Sequence, residues 1–361
     1  MAEPLKEMFN AAYFERLANE VEIAAPKVER AALVKDLLDG NDGRELNARL
    51  RHASITLRAH LPADLRKAVS ILRDVAPHMP RGYTALLYPD FVGRFGHDDP
   101  AFSLDALKHF TSFGSSEFAV REFFRRDVKG TLKVMRAWAE DDNEHVRRLA
   151  SEGSRPRLPW SFRLDAVLKD PKLTTPILER LRSDDSLYVR KSVASHLNDF
   201  SKDHAAYMID VLRSWDRTHP HTAWIAKHAS RTLIKAGHVD ALALFAFDGK
   251  AKVRVDDLEL STKRLKLGET LEFSFLVTSE DARPQPLVID YAIHYRKASG
   301  GTSRKVFKLK ELELGPKAST NITKRQRFVD LSTRKHHAGP HAVEVLVNGK
   351  ARMTAAFELR T

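Results

Sequence analysis

Three isolated carboxylates are the side chains of this sequence best suited to chemistry. They are Glu117 in GSSEFAVREFF, Glu152 in RRLASEGSRPRLPWSF and Asp199 in SHLNDFSKDH. Each lies at or near a predicted helix end, outside any run of solvated charges, where a single acid more often caps the helix or faces solvent. As a group, carboxylates can stabilise a developing positive charge and orient a water molecule, which are tasks of hydrolytic catalysis.

The stretch from 147 to 162 places one of these acids, Glu152, among positive charges. Four arginines, two prolines and a tryptophan share this stretch, namely Arg147, Arg148, Arg155, Arg157, Pro156, Pro159 and Trp160. Because proline cannot continue a helix, the helix that carries Glu152 is expected to end here. We expect Trp160 then to turn towards the carboxylate and to form an aromatic wall beside it.

Helices must position these residues, because apolar residues recur at helical spacing from residue 1 to about 248. Two segments match at a distance of 43 residues, with Asp141, Asp142, Val146 and Arg147 corresponding to Asp184, Asp185, Val189 and Arg190. A period near 40 is typical of HEAT or armadillo repeats, which stack into a curved solenoid with a concave binding face. Successive repeat ends would then bring the three acids to one edge of that face.

The sequence changes character after residue 250 and predicts strands. Apolar and polar residues alternate in short segments, and Asn348–Gly349 between two of these segments predicts a hairpin turn. Strands at this spacing over about 110 residues indicate an immunoglobulin-like β-sandwich. We therefore predict a HEAT-like α-helical solenoid over residues 1–248, followed by an immunoglobulin-like β-sandwich over residues 252–361.

The charge of the chain favours a polyanionic partner, either nucleic acid or an anionic membrane surface. The net charge is +12, and residues 251–361 hold 21 Lys and Arg against 13 Asp and Glu, so the small β-domain carries most of the excess. Basic clusters in this domain are candidate phosphate contacts, although they could also serve solubility alone. The clusters are TKRLK (262–266), TKRQR (323–327) with Lys324, Arg325 and Arg327, and TRKHH (333–337) with Arg334 and Lys335.

Basic residues also fall at related positions in successive helical repeats. They are Arg147, Arg148, Arg190, Lys191 and Lys227. Stacked repeats would align them in one basic stripe, where they could contact DNA phosphates. Each could instead pair with an aspartate of the neighbouring turn, so both a structural and a phosphate-binding role are open.

Several classes of function are excluded by what the sequence lacks. It has no cysteine, which excludes disulfides, cysteine-ligated zinc, iron–sulfur clusters and thiol nucleophiles. P-loop, dinucleotide-binding, HExxH and GxSxG motifs are absent.

His219, His221 and His228 cluster, but no further ligand completes a metal site, so we expect no metal. Neither a signal peptide nor an apolar stretch long enough to cross a membrane is present, and a cytoplasmic protein is expected.

Four segments together resemble a known family. The order SSEFAVREF, VRRLASEGSRPRLPW, VRKSVASHLNDFSKDH and HPHTAWIAKHASRTL is similar to that of the AlkC-type bacterial DNA alkylation repair enzymes. These are HEAT-like DNA glycosylases related to the AlkD type. The resemblance covers about residues 1–248, and the basic β-domain resembles an immunoglobulin-like extension that some members carry. The segment SEGSRPRLPW is its most specific part.

The resemblance implies a DNA glycosylase that removes cationic alkylated bases, chiefly 3-methyladenine and 3-methylcytosine, from duplex DNA without a metal or organic cofactor. It implies that Glu117, Glu152 and Asp199 are the catalytic acids and that Trp160 contacts the lesion. Phosphate contacts would come from Arg148, Arg155, Arg157, Arg190, Lys191 and Lys227. It also implies that the base stays largely in the duplex and that the β-domain holds bent DNA at the minor groove.

Two alternatives stay open at this point. A non-catalytic HEAT scaffold would bind nucleic acid or a protein in a salt-sensitive manner and release no base. A membrane-associated adaptor would use its basic surface on anionic lipid instead. On the glycosylase interpretation, we expect a monomer that acts on the bacterial nucleoid.

Overall fold

The computed structural model describes residues 4–247, 250–331 and 334–360. The helices are α1 (Ala11–Ala24), α2 (Arg30–Leu38), α3 (Leu46–His60), α4 (Leu65–Val75), α5 (Leu87–Phe95), α6 (Pro100–Phe110), α7 (Val120–Arg126), α8 (Val128–Trp138), α9 (Glu144–Gly153), α10 (Asp165–Lys169), α11 (Thr175–Arg180), α12 (Leu187–Phe200), α13 (Ala205–Ser214), α14 (Pro220–Ala229), α15 (Arg231–Lys235) and α16 (Val239–Ala243). The strands are β1 (Val253–Leu260), β2 (Arg264–Lys266), β3 (Thr270–Ser279), β4 (Gln285–Arg296), β5 (Thr302–Leu314), β6 (Ser319–Arg327), β7 (Gly339–Val347) and β8 (Lys350–Arg360). Helices followed by strands are the order that the sequence predicts. No helix among the described residues is long and apolar enough to cross a membrane.

Packing divides the chain into two compact units at a point earlier than the change of secondary structure. The first unit holds the residues up to Tyr207 and Trp215–Ala229, and the second holds Met208–Ser214 and the residues from Ser230 onward. The sequence places this boundary at residue 248, which lies outside the described residues. The short helices α15 and α16 belong with the strands because their apolar side chains share one cluster with β4, formed by Ile234, Leu242, Phe247 and Val288.

The 43-residue repeat has a physical cause in the turns that precede α9 and α12. Arg147 donates from Nη1 to the carbonyl oxygens of Asp141 and Asp142 at 3.0 and 2.8 Å. Arg190 makes the same two bonds, at 2.8 Å each, to the aspartates of its own turn. Arg147 also reaches the next repeat, where its Nε lies 2.7 Å from Oδ2 of Asp184. Both arginines therefore hold the starts of their helices, and Arg147 also links its repeat to the next one.

Two sheets face each other in the strand region. One sheet has the order β1-β3-β6 and the other β2-β8-β7-β4-β5. Alternate residues of β3 point inward, so Phe273 and Phe275 meet residues of the other sheet such as Tyr291, Val345 and Phe357 in one apolar core. This two-sheet arrangement follows from the period-two alternation of the sequence, because one face of each strand is apolar.

The Asn348–Gly349 turn joins β7 to β8, which confirms the predicted hairpin. Both residues have positive φ, 47° and 75°, which suits a tight hairpin turn. Gly349 is needed for a second reason, because a Cβ there would lie 2.1 Å from Cα of Gly237. Any larger residue at 349 would push the turn away from the segment between α15 and α16.

Asp290 of β4 is a buried acid whose removal is expected to stabilise the second unit. Its side chain is 2% exposed, and burial raises its pKa to about 6, against a weaker opposing effect of Lys235 and Lys308. Between about pH 4 and 6, the folded protein therefore holds a proton at Asp290 that the unfolded chain has already lost. The free energy of unfolding falls as the pH rises through this window. Asp290→Asn should raise the free energy of unfolding at pH 7 by about 1–3 kcal/mol.

Urea unfolding at pH 4 and pH 7 measures this effect. The gain of Asp290→Asn should be large at pH 7 and small at pH 4, because wild-type Asp290 is protonated in the folded state at the lower pH. Glu313→Gln, at an exposed site on β5, is the matched control and should change little at either pH. A variant that is less stable than wild type at pH 7 would show that the charge of Asp290 is stabilising.

Candidate active site

The helix that carries Glu152 ends as the sequence predicts, and local contacts explain its last residues. Gly153 ends α9 against α7, where a Cβ would lie 2.6 Å from Cγ1 of Val120. The hydroxyl of Ser154 donates to the carbonyl of Ala150 at 2.6 Å and satisfies a carbonyl group that the ending helix leaves free. The two prolines that follow prevent the helix from continuing and produce the loop 154–164.

Trp160 stands out of this loop into solvent. Its side chain is 76% exposed and its φ is 64°, a left-handed conformation that is unfavourable for a bulky residue. The neighbouring Leu158 is buried and anchors the loop to the helices. Strained backbone of this kind is found preferentially at functional sites, where surrounding contacts maintain it. The ring is therefore held in a position where a ligand can reach it.

The structure brings the three predicted acids together from three separate elements. Glu117 lies in the turn before α7, Glu152 in the last turn of α9 and Asp199 near the end of α12. Two arginines stand between them, Arg148 from α9 and Arg155 from the loop. The five side chains form a continuous row of ion pairs, which we call the carboxylate row.

Arg148 links the first two acids of the carboxylate row. Its Nη1 donates to Oε2 of Glu117 and, at 2.8 Å, to the hydroxyl of Ser115. Its Nη2 lies 3.5 Å from Oε1 of Glu152. The hydroxyl of Ser115 in turn donates to Glu117 at 2.8 Å, so the first acid is fixed from two directions.

Arg155 links Glu152 to Asp199. Its Nη1 donates to Oε1 of Glu152 at 2.6 Å, while Nε and Nη2 donate to the two oxygens of Asp199 at 2.9 and 3.1 Å. The other oxygen of Glu152 accepts a hydrogen bond from the hydroxyl of Ser192 at 2.6 Å. Paired charge-assisted bonds of this geometry hold side chains firmly, so the row is preorganised before any ligand arrives.

The electrostatics of the row favour a cationic ligand beside its carboxylates. Within the row three carboxylates face two guanidinium groups, and the buried guanidinium group of Arg121 behind the row balances the third carboxylate. A cation is therefore attracted only where the carboxylates lie nearer to it than the guanidinium groups. Burial raises the pKa of Asp199 above its ordinary value, against the lowering effect of its bonds with Arg155. Burial also lowers the pKa of the nearby His196 to about 3, with Arg155 adding to the effect, so this imidazole is neutral and adds no positive charge.

A cavity of about 570 Å³ opens on one side of the carboxylate row. Its walls include Glu117, Arg148, Glu152, Trp160 and Tyr188. The guanidinium of Arg148 lies over the Tyr188 ring at 5.0 Å, which fixes the polar and aromatic walls against each other. The volume and the mixture of apolar walls with a few polar groups are typical of a small-molecule or base-sized site.

Asp199 does not line this cavity, although the sequence groups it with the other two acids. Both of its carboxylate oxygens are bound by Arg155, which stands between Asp199 and Glu152. Asp199 therefore acts on the cavity through Arg155 and through its charge, whereas Glu117 and Glu152 are wall residues.

The structure gives protein partners to the three arginines for which the sequence predicts phosphate contacts in this region. Arg148 and Arg155 belong to the carboxylate row, and Arg155 is only 9% exposed. Arg157 pairs with Asp203, with Nη2 lying 2.6 Å from Oδ2. In this structure the arginines organise acids, and their contact with phosphate stays a prediction for the DNA-bound state.

The basic residues of the later repeats are separate from the carboxylate row. Arg190 donates to a backbone carbonyl group of its own turn, and its guanidinium group lies over the Trp224 ring at 5.9 Å. These contacts give Arg190 a structural role, which is one of the two roles that the sequence left open. Lys191 is exposed on α12, and Lys227 is partly buried on α14. Neither of these lysines lines the cavity beside the row.

The basic residues of the β-domain lie on β6 and the segment after it. Lys324, Arg325 and Arg327 follow one another on β6, an edge strand of its sheet, and Arg325 lies 3.6 Å from Glu272 of β3. Arg334 stacks over the ring of Tyr295 at 4.5 Å, and Nζ of Lys335 lies 3.3 Å from Oδ2 of Asp330. Arg325 and Arg327 remain exposed on the same face of their strand.

The histidine cluster does not form a metal site in the described part of the chain. The rings of His219 and His221 lie edge to face at 5.2 Å, and His228 stacks on Trp224 at 4.8 Å. No group of three or more His, Asp or Glu side chains within residues 4–247, 250–331 and 334–360 is arranged to hold a metal ion.

Three buried polar residues behind the row escape the sequence analysis. Ser192 and His196 lie on the same face of α12 as Asp199, and His196 Nδ1 donates to the carbonyl of Ser151 at 3.0 Å. Arg121 of α7 lies fully buried beneath the loop. The spacing 192, 196 and 199 marks one helix face and is the signal that could have identified two of them. Arg121 carries no such local signal, because its partners are more than 30 residues away.

Comparison with known proteins agrees with this geometry. A model of the family described as DNA alkylation repair enzyme matches residues 109–233, which contain the whole carboxylate row, and a model described as the C-terminal Ig-like domain of the uncharacterised protein YhaZ matches residues 254–361. The chain is 43% identical over 357 residues to the uncharacterised protein YhaZ of Bacillus subtilis strain 168, covering 98% of this chain and 99% of the relative.

A solved structure is similar over the whole chain. It is the alkylpurine DNA glycosylase AlkC of Pseudomonas fluorescens bound to DNA containing an abasic site analogue. The identity is 45%, the match covers 99% of this chain and 100% of the other, and the TM-score is 0.97. Both the helical region and the β-domain are therefore shared with that protein.

Proposed function

This chain belongs to the AlkC type of DNA alkylation repair glycosylases, and we propose that it hydrolyses the N-glycosidic bond of cationic alkylated bases, chiefly 3-methyladenine and 3-methylcytosine, in duplex DNA. The observation that carries the proposal is the carboxylate row, two of whose acids, Glu117 and Glu152, line a base-sized cavity beside Trp160. A cationic base is both the ligand that such a row attracts and a good leaving group. We further propose that the protein acts as a monomer on the bacterial nucleoid.

The carboxylates are proposed to act on the charge that moves during the reaction. When the bond from sugar to base breaks, the base leaves as a neutral molecule and the sugar becomes oxocarbenium-like. Glu152 and Glu117, as wall residues, would stabilise that positive charge and contact the lesion. Water would be positioned for attack on the sugar by Glu152 or Asp199. For Asp199 this requires Arg155 to release one carboxylate oxygen when DNA binds.

Trp160 and Tyr188 are proposed to provide aromatic surfaces for the cationic base or sugar. Cation–π attraction suits both rings, since a cationic group over an aromatic face is stabilised most where water is excluded. The two rings are substantially exposed and form an open wall, which supports a mode in which the base stays largely in the duplex. A base that leaves the stack completely would need a more enclosed pocket.

The β-domain is proposed to hold the DNA backbone, with Arg325 and Arg327 of β6 as phosphate contacts. The double variant Arg325→Ala with Arg327→Ala should weaken binding to abasic-site duplex DNA and reduce the slope of log K against log salt concentration by about 2. Fluorescence anisotropy at several salt concentrations measures that slope. Lys310→Ala with Lys350→Ala removes two exposed charges from the other sheet and is the matched control. Equal slopes for the two double variants would contradict this role of β6.

Base release tests the proposed function. Duplex DNA methylated by an alkylating agent is incubated with the protein, and the released bases are separated by chromatography. The proposal expects 3-methyladenine and 3-methylcytosine among the products without added metal. Salt-sensitive DNA binding with no base release would instead favour the scaffold alternative.

A further inference from the structure

Arg121 is a buried cation that the proposed chemistry does not use. It lies on α7, its exposure is 0%, and it is one of the largest fully buried side chains in the described part of the chain. Burying a guanidinium group is costly unless its donors are satisfied, and a leucine would fill the same space without that penalty. The presence of arginine at this position therefore calls for a function that its hydrogen bonds provide.

All of the side-chain hydrogen bonds of Arg121 go to the two ends of one loop. Nη1 donates to the carbonyl oxygens of Gly153 at 3.1 Å and Arg155 at 2.7 Å, and Nη2 donates to the carbonyl oxygen of Phe162. The Phe162 ring also lies 5.2 Å from the guanidinium carbon. One rigid fork thus joins the start and the end of the segment that bears Trp160.

We propose that Arg121 is a positioning residue that clamps the loop 154–164 at its start and near its end, and so holds Trp160 and Arg155 at the candidate active site. This inference deepens the proposed function and rests on it for its catalytic consequence. The two Nη atoms of one guanidinium group reach carbonyl groups at both ends of the loop because its donors diverge in a fixed plane, whereas the three donors of a lysine all leave a single nitrogen atom. Without this clamp, the strained conformation of Trp160 would lose the contacts that maintain it.

The clamp also places a positive charge behind the carboxylate row. Burial lowers the pKa of Arg121 to about 10, with Arg155 adding to the effect, so the group remains charged at neutral pH. The ionisable groups that surround it come from the turn before α7, from α9, from the loop and from α12, namely Glu117, Glu152, Arg155, His196 and Asp199. A fixed cation there favours the ionised form of the three acids.

Two substitutions distinguish the effect of the hydrogen bonds of Arg121 from the effect of its positive charge. Arg121→Lys keeps the charge but cannot reach all three carbonyl groups, and Arg121→Gln loses the charge and part of the reach. The matched control is Arg49→Gln. Arg49 is another buried arginine that donates to three backbone carbonyls, those of Lys6, Phe9 and Arg44, and it does not line the cavity beside the row.

Limited trypsin digestion reports on the loop without any enzymatic assay, because the bonds after Arg157 and Arg163 lie in or next to it. We expect cleavage there at least fivefold faster in both Arg121 variants than in wild type or Arg49→Gln, at equal helix content by circular dichroism. Cleavage at the wild-type rate in a folded Arg121 variant would overturn the clamp. If Arg121→Gln fails to fold, Arg121→Lys decides the question by the same digestion.

Single-turnover excision from methylated duplex DNA, measured from pH 5 to 9, tests the catalytic consequence. We expect Arg121→Gln to lower the rate at least tenfold and to move the acidic limb of the pH profile upward by up to about one unit. Arg121→Lys should restore the position of the limb but only part of the rate. A lowered rate with the limb unmoved in Arg121→Gln would show that the charge does not act on the acids. If wild type releases no base, the proposed function is wrong, whereas digestion still decides the clamp.

Discussion

Glu152→Gln is expected to lower the single-turnover rate of base excision by about 100- to 1,000-fold, the range found when one preorganised stabilising group is removed. Glu152 lines the cavity, and it also lies at the middle of the carboxylate row. Its charge offsets those of Arg148 and Arg155 at the wall of the cavity. A neutral glutamine removes a carboxylate charge from that wall and leaves the arginines with one acid fewer to offset them, so the attraction for an oxocarbenium-like sugar is lost.

The rate loss is measured with protein in excess over DNA that carries 3-methyladenine, so that product release does not limit the result. Affinity for abasic-site duplex DNA should change much less than the rate, because the glutamine keeps the shape of the side chain. Glu144→Gln, in the first turn of the same helix and exposed, is the matched control and should retain the wild-type rate within about threefold. A Glu152→Gln rate equal to that of Glu144→Gln would remove Glu152 from the mechanism.

Asp199→Asn is the second substitution with a large expected effect, about 10- to 100-fold on the rate at pH 8. Burial raises the pKa of Asp199, so this acid takes up a proton at a higher pH than an exposed aspartate. Wild-type activity should therefore fall on the acidic side, with an apparent pKa above 3.8. The asparagine variant mimics the protonated state at every pH, so it should be slow throughout and should lack the part of the acidic limb that Asp199 produces.

Rate measurements between pH 4.5 and 8 distinguish this account from a general loss of structure. Asp203→Asn is the matched control because Asp203 also pairs with an arginine of the loop, Arg157, but at a more exposed site. It should leave the acidic limb where it is in wild type. An unchanged acidic limb in Asp199→Asn would mean that another group titrates there and that Asp199 is structural.

The three acids could be selected from the sequence as candidates because each one stands at a local landmark. Glu152 precedes a glycine, a serine and two prolines that end its helix, and Trp160 follows in the same loop. The three elements that carry the acids come together through packing of successive repeats. The 43-residue repeat predicts that packing, and Arg147, one of the repeated arginines, links its own turn to that of the next repeat.

The roles of the arginines were harder to predict because their partners are distant in sequence. Arg155 binds Asp199, 44 residues later, and Arg157 binds Asp203, 46 residues later. These separations are close to the repeat length, so the repeat itself contained the signal that the loop of one repeat meets the helix end of the next. Arg121 offers no such signal, because its hydrogen bonds go to backbone carbonyl groups that any residue possesses.

The domain boundary shows a different limit of sequence patterns. Periodicity changes from helical to alternating near residue 250, and the pattern places the boundary there. Packing moves α15 and α16 into the second unit, because their apolar side chains have partners on β4 and because Gly237 meets Gly349. Hydrophobic periodicity reports which face of a helix is buried but does not identify the element that buries it.

The central claim, that preorganised carboxylates at the cavity remove cationic bases, is tested most directly by comparing a cationic with a neutral base in the same duplex context. Single-turnover release of 3-methyladenine is measured beside release of hypoxanthine, a neutral purine of similar size. The account predicts rapid release of 3-methyladenine and no measurable release of hypoxanthine. Comparable rates for the two bases, or release of neither, would contradict it.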